Sequence, residues 1–272
     1  MNIDENHAAL EVIESAAFAD LYCAAPDTIR TSMHIDVADI AGATCLRCAK
    51  LNPATIFRRA CGLGVGAPAR ESDVAEVMWH MDELDEPYVV AVAPHAKPLL
   101  LSGWLEARGF TRGYAFMKFS CSTSVSADVP TDLDIDVIGP EHGLAFGRVV
   151  CTGFGLPETV AHWLAQLAGR ERWVCLLGSA NGVPAAAAAT YVEGTHAWLG
   201  LGATLPEFRR RGGQGALLWR RLKEAATRGA LTAVTETGER VADRPSNSYR
   251  NILRCGFQEM YLRQNYISPA RS

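Results

Sequence analysis

Apolar and polar positions alternate with two periods along this chain, most clearly in its second half. Leu133–Ile138 alternates apolar and acidic residues, as a half-buried strand does. Helical spacing follows over about Glu141–Thr152 and Pro157–Ala168. Arg172–Leu177 and Pro184–Val192 read as strands joined by the turn Ala180-Asn181-Gly182, and Ala197–Thr204 as the next strand. After the loop Pro206–Gly212, a helix is predicted from about Gly213 to Arg228. Leu218, Leu222 and Ala225 form its apolar stripe, and Arg220, Arg221, Lys223 and Glu224 are expected to face away. Gly229 fits the residue just past its end. Leu231–Thr235 is another strand, Asn247–Arg254 a short helix closed by Gly256, and Tyr261–Ile267 a final strand.

The first half is less regular, yet its later part repeats that order. A helix over about Ser72–Leu84 carries Val74, Val77, Met78 and Met81 on one stripe. Tyr88–Val92 is an apolar strand, and a helix over about Lys97–Arg108 ends in Gly109-Phe110. The second half closes on Gly256-Phe257, and both pairs follow a large apolar residue, Leu105 or Ile252, by four positions. An internal repeat is the simplest account. The serine-rich stretch Ser120–Pro130 reads as a linker, which gives a first domain over residues 1–120, a linker over 121–131 and a second domain over 132–272.

Composition narrows the function class. At 272 residues with 49% hydrophobic and 21% charged, the chain can bury a core without staples. A net charge of −4 argues against nucleic acid as the main partner, though one basic loop could still hold a small anion. No apolar run nears the ~18 residues of a membrane span. The acidic start Met1–Asn6 has no apolar signal region, so a cytoplasmic protein with its eight cysteines reduced is expected. Cys45-Leu46-Arg47-Cys48 is a lone CxxC without a second pair or a histidine at zinc spacing, and reads as strand cysteines. The histidines His7, His34, His80, His95, His142 and His162 show no metal-ligand spacing, so no metal is expected.

The richest stretch runs from Trp198 to Leu218: a strand holding Gly200 and Gly202, a proline stop, Arg209-Arg210-Arg211, then Gly212-Gly213-Gln214-Gly215 opening an amphipathic helix. Each part suits an anion. A helix N-terminus offers unpaired amides and partial positive charge, glycines let the backbone approach, and arginines add charge-assisted hydrogen bonds. Glycine inside a strand marks a bulge or a ligand lying against the backbone. Taken alone, the loop also fits a solvated turn. It is not a Walker A, since no Lys-Ser/Thr follows the glycines, and it lacks the Gly-x-Gly-x-x-Gly and acidic ribose partner of a dinucleotide fold.

This stretch resembles motif A of the GNAT (GCN5-related N-acetyltransferase) superfamily, Arg/Gln-x-x-Gly-x-Gly/Ala. Counted from Pro206-Glu207 it falls as Arg209-x-x-Gly212-x-Gln214, with Gln214 in place of the usual small residue; a shifted count gives Arg210-x-x-Gly213-x-Gly215. Ser248–Phe257 resembles motif B, and Leu231–Glu236 falls where that fold has its splayed fifth strand. The resemblance spans about Leu133–Ile267. It implies an α/β (α+β) chain of two GNAT-like mixed, mostly antiparallel sheets flanked by helices, in tandem. The first is a degenerate copy without a cofactor loop, and its Gly62-Leu63-Gly64-Val65-Gly66 is strand and turn.

The resemblance further implies acetyl-CoA as co-substrate between strands Ala197–Thr204 and Leu231–Thr235. The implied binding residues are Gly202, Ala203, Thr204, Arg209, Arg210, Arg211, Gly212, Gly213, Gln214, Gly215, Ser248 and Asn251. A backbone N–H near Gly202 or Ala203 would meet the oxyanion. Glu236 is the first choice of base, followed by Glu193 and His196. The family's acid, a tyrosine four residues before the motif B glycine, is Ile252 here, which leaves Ser248 one turn earlier; Tyr249 is expected to point elsewhere. The implied activity is N-acetyl transfer to a primary amine of a small molecule or peptide, with no nucleic acid or membrane partner and room for a homo-oligomer. A non-catalytic acyl-CoA-binding or sensor protein is the alternative.

Overall fold

Antiparallel hairpins followed by one parallel crossover are the local rule in both halves of the chain. The computed structural model describes residues 3–51, 57–124, 129–242 and 247–270. The first half runs α1 (Ile3–Cys23), α2 (Asp27–Ser32), β1 (Asp36–Ile40), β2 (Ala43–Arg47), β3 (Arg59–Cys61), α3 (Glu71–Met81), β4 (Val89–Val92), α4 (Leu101–Ala107) and β5 (Thr111–Ser122). The second runs β6 (Asp134–Val137), α5 (Gly143–Phe154), α6 (Glu158–Leu164), β7 (Trp173–Ala180), β8 (Val183–Glu193), β9 (His196–Thr204), α7 (Gly213–Thr227), β10 (Thr232–Gly238), α8 (Asn247–Arg254) and β11 (Gln258–Ile267).

Two compact units result. Unit 1 holds Met1–Cys23, Asp27–Lys118 and Met260–Ser272, and unit 2 holds Ala24–Pro26 and Phe119–Glu259. The chain's last strand therefore counts mostly with unit 1, where β11 pairs antiparallel with β4. Of the serine-rich stretch, residues 125–128 lie outside the described residues. On either side of them, Thr123 Oγ1 donates to the Ala230 carbonyl at 2.6 Å and Thr131 Oγ1 to the Arg211 carbonyl at 2.8 Å.

The repeat is structural. In unit 1, β1, β2 and β3 form an antiparallel meander and α3 leads to β4, parallel to β3. In unit 2, β6, β7, β8 and β9 form the meander and α7 leads to β10, parallel to β9. In each unit the strand pairing is mixed and mostly antiparallel, with helices against it, as expected, although the strands are not divided into two separate sheets. The two Gly-Phe endings also agree: Gly109 and Gly256 take left-handed φ values of 84° and 88°, and Phe110 and Phe257 are buried. Helix α4 starts later than its spacing predicts, because Pro98 disfavours helical backbone at the residue before it.

Helix α1 shows no clean apolar period because its buried stripe includes carboxylates. Glu11 and Glu14 lie among Leu10, Ala17, Phe18 and Leu21, all buried. Glu14 accepts from Arg59 Nη2 at 2.7 Å and Arg263 Nη2 at 2.9 Å, and pairs with Lys118. Glu11 accepts from Arg263 Nη1 at 2.8 Å and from the Tyr261 hydroxyl at 2.7 Å. Burial pushes both carboxyls up, but the surrounding cations, Arg263 foremost, outweigh it and hold both below the ordinary 4.5.

All eight cysteines are free thiols; Cys23 is exposed and the other seven are buried. Cys45 lies on β2 and Cys48 just past its end, and burial pushes both thiols up to about 12. No helix among the described residues is long and apolar enough to cross a membrane.

A prediction follows from the sign of the carboxylate shifts. Groups held low stabilise the fold above their unfolded value and lose that contribution as pH falls through the folded value. Chemical denaturation should therefore give a unit 1 stability that is level at neutral pH and falls progressively below about 4.5. Glu14→Ala, which strands buried cations, should cost ~3–5 kcal/mol at neutral pH.

Candidate functional site

Strands β9 and β10 pair only briefly. Their parallel register covers His196–Trp198 against Thr232–Val234. One further tie follows, from Thr235 Oγ1 to the Leu199 carbonyl at 2.8 Å. Beyond it no register joins β9 residues 200–204 to β10 residues 236–238. A bulge lies at the same level. Opposite β8, Ala187 pairs with Ala203 and Ala189 with Gly200, so Ala188 alone faces Leu201 and Gly202. Leu201 takes a φ of 53°, which a branched side chain adopts only at a cost. Gly200 is glycine because the Trp198 ring fills its side: a Cβ there would lie 1.9 Å from the ring.

On one face of this gap lies α7. Gly212, at φ 76°, is its N-cap residue, and no side chain caps the first turn. The amides of Gly213, Gln214 and Gly215 have no carbonyl one turn back within the helix. Arg209, Arg210 and Arg211 are exposed beside them. Arg209 Nε donates to the Thr204 carbonyl at 3.3 Å. Arg211 pairs with Asp132 at 3.2 Å and stacks over Phe208, while Arg210, at φ 66°, forms no ion pair among the described residues. The N-terminus of α3 in unit 1 is built the opposite way. There the Asp73 carboxylate accepts the Arg70 backbone N–H at 2.8 Å and its Nε at 3.0 Å, so a side-chain anion already sits at the first turn. The glycine run before α3 is also closed, since Lys97 N donates to the Gly64 carbonyl at 2.8 Å.

Solved structures with a similar fold are known. A GCN5-related N-acetyltransferase from Kribbella flavida is 16% identical with a TM-score of 0.62, over 89% of this chain and 92% of that one. An acetyltransferase of the GNAT family from Colwellia psychrerythraea is 16% identical with a TM-score of 0.55, over 84% and 81%. A tandem GNAT protein from the clavulanic acid biosynthesis pathway is 15% identical with a TM-score of 0.55, over 84% and 75%. The chain has the GNAT fold. No protein-family model and no curated protein matches the sequence.

Within unit 2, the residues singled out from sequence separate into three groups. The first gathers at the gap and the loop. Gln214 Nε2 donates to Thr204 Oγ1 at 2.8 Å. A Cβ on Gly202 would meet Gln214 and Arg221, so its side faces α7 (3.4 and 3.5 Å). Ala203 faces α5, 2.6 Å from where a Gly153 Cβ would lie. The second group consists of Glu236, Ser248 and Asn251. Pairing of Val234 with Trp198 puts alternate residues of β10 on the Trp198 side, so Glu236 lies on the face opposite α7. Ser248 is exposed on the first turn of α8, and Asn251 is half-buried one turn on. Glu193 and His196 form the third group. They flank the β8–β9 turn, at the paired end of β9, with Glu193 bound to Arg172 and His196 Nδ1 3.2 Å from Thr195 Oγ1.

One expectation changes and another holds. Arg221 does not face away: it is buried, at 3% exposure. The reason is angular, since Arg221 follows Leu218 by three positions and falls within the apolar stripe. Tyr249 does point elsewhere, packed edge-on against Phe119 with Arg240 over its ring, and burial with the Glu259 hydrogen bond pushes its phenol up to about 12. The motif glycines also serve packing. A Cβ would lie 2.2 Å from the Pro130 carbonyl at Gly212, 2.7 Å from Leu133 at Gly213 and 2.9 Å from Val129 at Gly215.

Thermal denaturation of glycine variants tests this account. Gly212→Ala combines a left-handed backbone costing ~1–2 kcal/mol with overpacking of ~1–3 kcal/mol. Gly229→Ala, at φ 90° with open space around it, carries only the backbone cost. Gly212→Ala should therefore melt well below Gly229→Ala.

Proposed function

We propose that the protein is an acetyl-CoA-dependent N-acetyltransferase acting on a primary amine of a small molecule or peptide. The observation that carries the reading is the uncapped first turn of α7, flanked by exposed arginines, at the point where β9 and β10 part. That first turn fits a pyrophosphate: it presents main-chain donors and partial positive charge with no resident anion. Arg209, Arg210 and Arg211 add charge around it.

Acetyl-CoA supplies the acetyl group as a thioester. The residues of the chain then divide the work. The α7 amides and the arginines hold the pyrophosphate end. The β9 backbone at Gly202 and Ala203 offers an N–H to the oxygen on which charge develops. Glu236, on the face away from α7, takes a proton from the acceptor's ammonium, directly or through water, and the freed amine attacks the thioester carbonyl. Ser248, exposed on the first turn of α8, offers its hydroxyl to the leaving thiolate. Ile252 is apolar and buried, and this favours a second reading, a protein that binds acyl-CoA without turnover.

Calorimetry with acetyl-CoA tests the main reading. One-to-one binding is expected, and the double variant Arg209→Ala with Arg211→Ala should weaken it ~10–100-fold, as loss of charge-assisted hydrogen bonds worth ~1.5–3 kcal/mol requires. No binding by the wild type at millimolar ligand would sink the proposal. Turnover against an amine panel separates an enzyme from a sensor. In an enzyme, Glu236→Gln should lower kcat/KM ~10²–10⁴-fold and remove the acidic limb of its pH profile.

A further inference from the structure

The middle of α7 carries a charge that nothing in the proposed reaction uses. Arg221 is 3% exposed, and no carboxylate pairs with it among the described residues. Burial pulls its pKa down to about 10, with the Cys255 thiol as the one opposing influence. Burying an unpaired guanidinium is costly, and an apolar side chain of the same length would pack there without that cost. What the guanidinium holds accounts for its presence.

It holds main-chain oxygens at the bulge. Arg221 Nη1 donates to the Gly200 carbonyl at 3.1 Å and to the Ala189 carbonyl at 3.4 Å, and Nε donates to Leu217 of its own helix at 3.3 Å. Gly200 and Ala189 are the last pair in register before Leu201 and Gly202 leave it. Buried carbonyls displaced from a ladder need another donor, and here Arg221 provides it. Nη2 has no acceptor among the described residues and lies 3.5 Å from where a Gly202 Cβ would be. Gln214, seven residues earlier and so on the same side of α7, binds Thr204. Gln214 and Arg221 therefore pin β9 on either side of Leu201–Ala203.

We propose that Arg221 is a positioning residue: by holding the Gly200 carbonyl from beneath, it keeps the β9 bulge in the one backbone form that presents the Leu201–Ala203 amides to the acyl group. This rests on the acetyltransferase reading for the identity of the ligand, but not for the bulge itself. The device is specific to the acyl end. The phosphate end depends on the α7 first turn, two helical turns away.

The experiment compares Arg221→Met and Arg221→Lys with the wild type in two measurements. Hydrogen exchange reads the amides of the peptide Trp198–Thr204. Calorimetry reads acetyl-CoA and, separately, 3′-phosphoadenosine diphosphate, which carries only the phosphate end. Expected for Arg221→Met is exchange at Leu201–Ala203 at least ten times faster, with β7 peptides unchanged. Acetyl-CoA should bind about tenfold more weakly while the phosphate end stays within twofold, and Arg221→Lys should recover part of both losses. Unchanged exchange at the bulge, or equal weakening of both ligands, would overturn the proposal. If the wild type binds neither ligand, the acetyltransferase reading itself falls, and the positioning role falls with it.

Discussion

The parting of two parallel strands is the constraint on which the site depends. β9 and β10 are tied at His196–Trp198 and once more through Thr235, and then their backbones lose each other as partners. Freed main-chain groups inside a protein must be met by something. On the β8 side the bulge and the Arg221 guanidinium meet them. Along the gap they remain available to a ligand. The rest of unit 2 is arranged around that opening: α7 closes one face, α5 lies on the other, and Glu236 reaches the α5 face through a simple consequence of strand alternation.

Two helices at equivalent places in the repeat show how one residue decides whether a helix end is available. α3 begins at Arg70 with Asp73 three positions on, and that carboxylate turns back onto the first turn. α7 begins at Gly212, which has no side chain to turn back, and no acid stands in its first turn. Both follow a strand and lead to a parallel neighbour. The chemistry of their first four residues separates an end capped by its own chain from one left without a side-chain cap.

Much of this was legible in the sequence, because the second half keeps its periods clean. Strands β6–β9, the loop and helices α7 and α8 follow directly from apolar spacing and glycine punctuation. What stayed hidden has a common cause, charge on buried faces. Glu11 and Glu14 interrupt the stripe of α1, and Arg221 interrupts that of α7, so each pattern looks solvated where it is not. Periodicity counts a charged residue as outward-facing; only three-dimensional pairing, or a carbonyl left over from a bulge, reverses that. The glycines of the loop were legible as a motif but not in their second role. Their close approach to Val129, Pro130 and Leu133 depends on a segment some eighty residues earlier.

The distribution of thiols gives the molecule a built-in clock. In the native state one cysteine, Cys23, meets solvent. Cys45, Cys48 and Cys61 are sealed in unit 1, and Cys121, Cys151, Cys175 and Cys255 in unit 2. A thiol reagent therefore reaches each buried group only when the structure around it opens, and the order of labelling records the order in which the two units loosen. Cys255 is the most telling of the seven. Its sulfur lies 3.8 Å from the Gly215 carbonyl in the first turn of α7, so its protection is a direct gauge of how firmly that helix end is held.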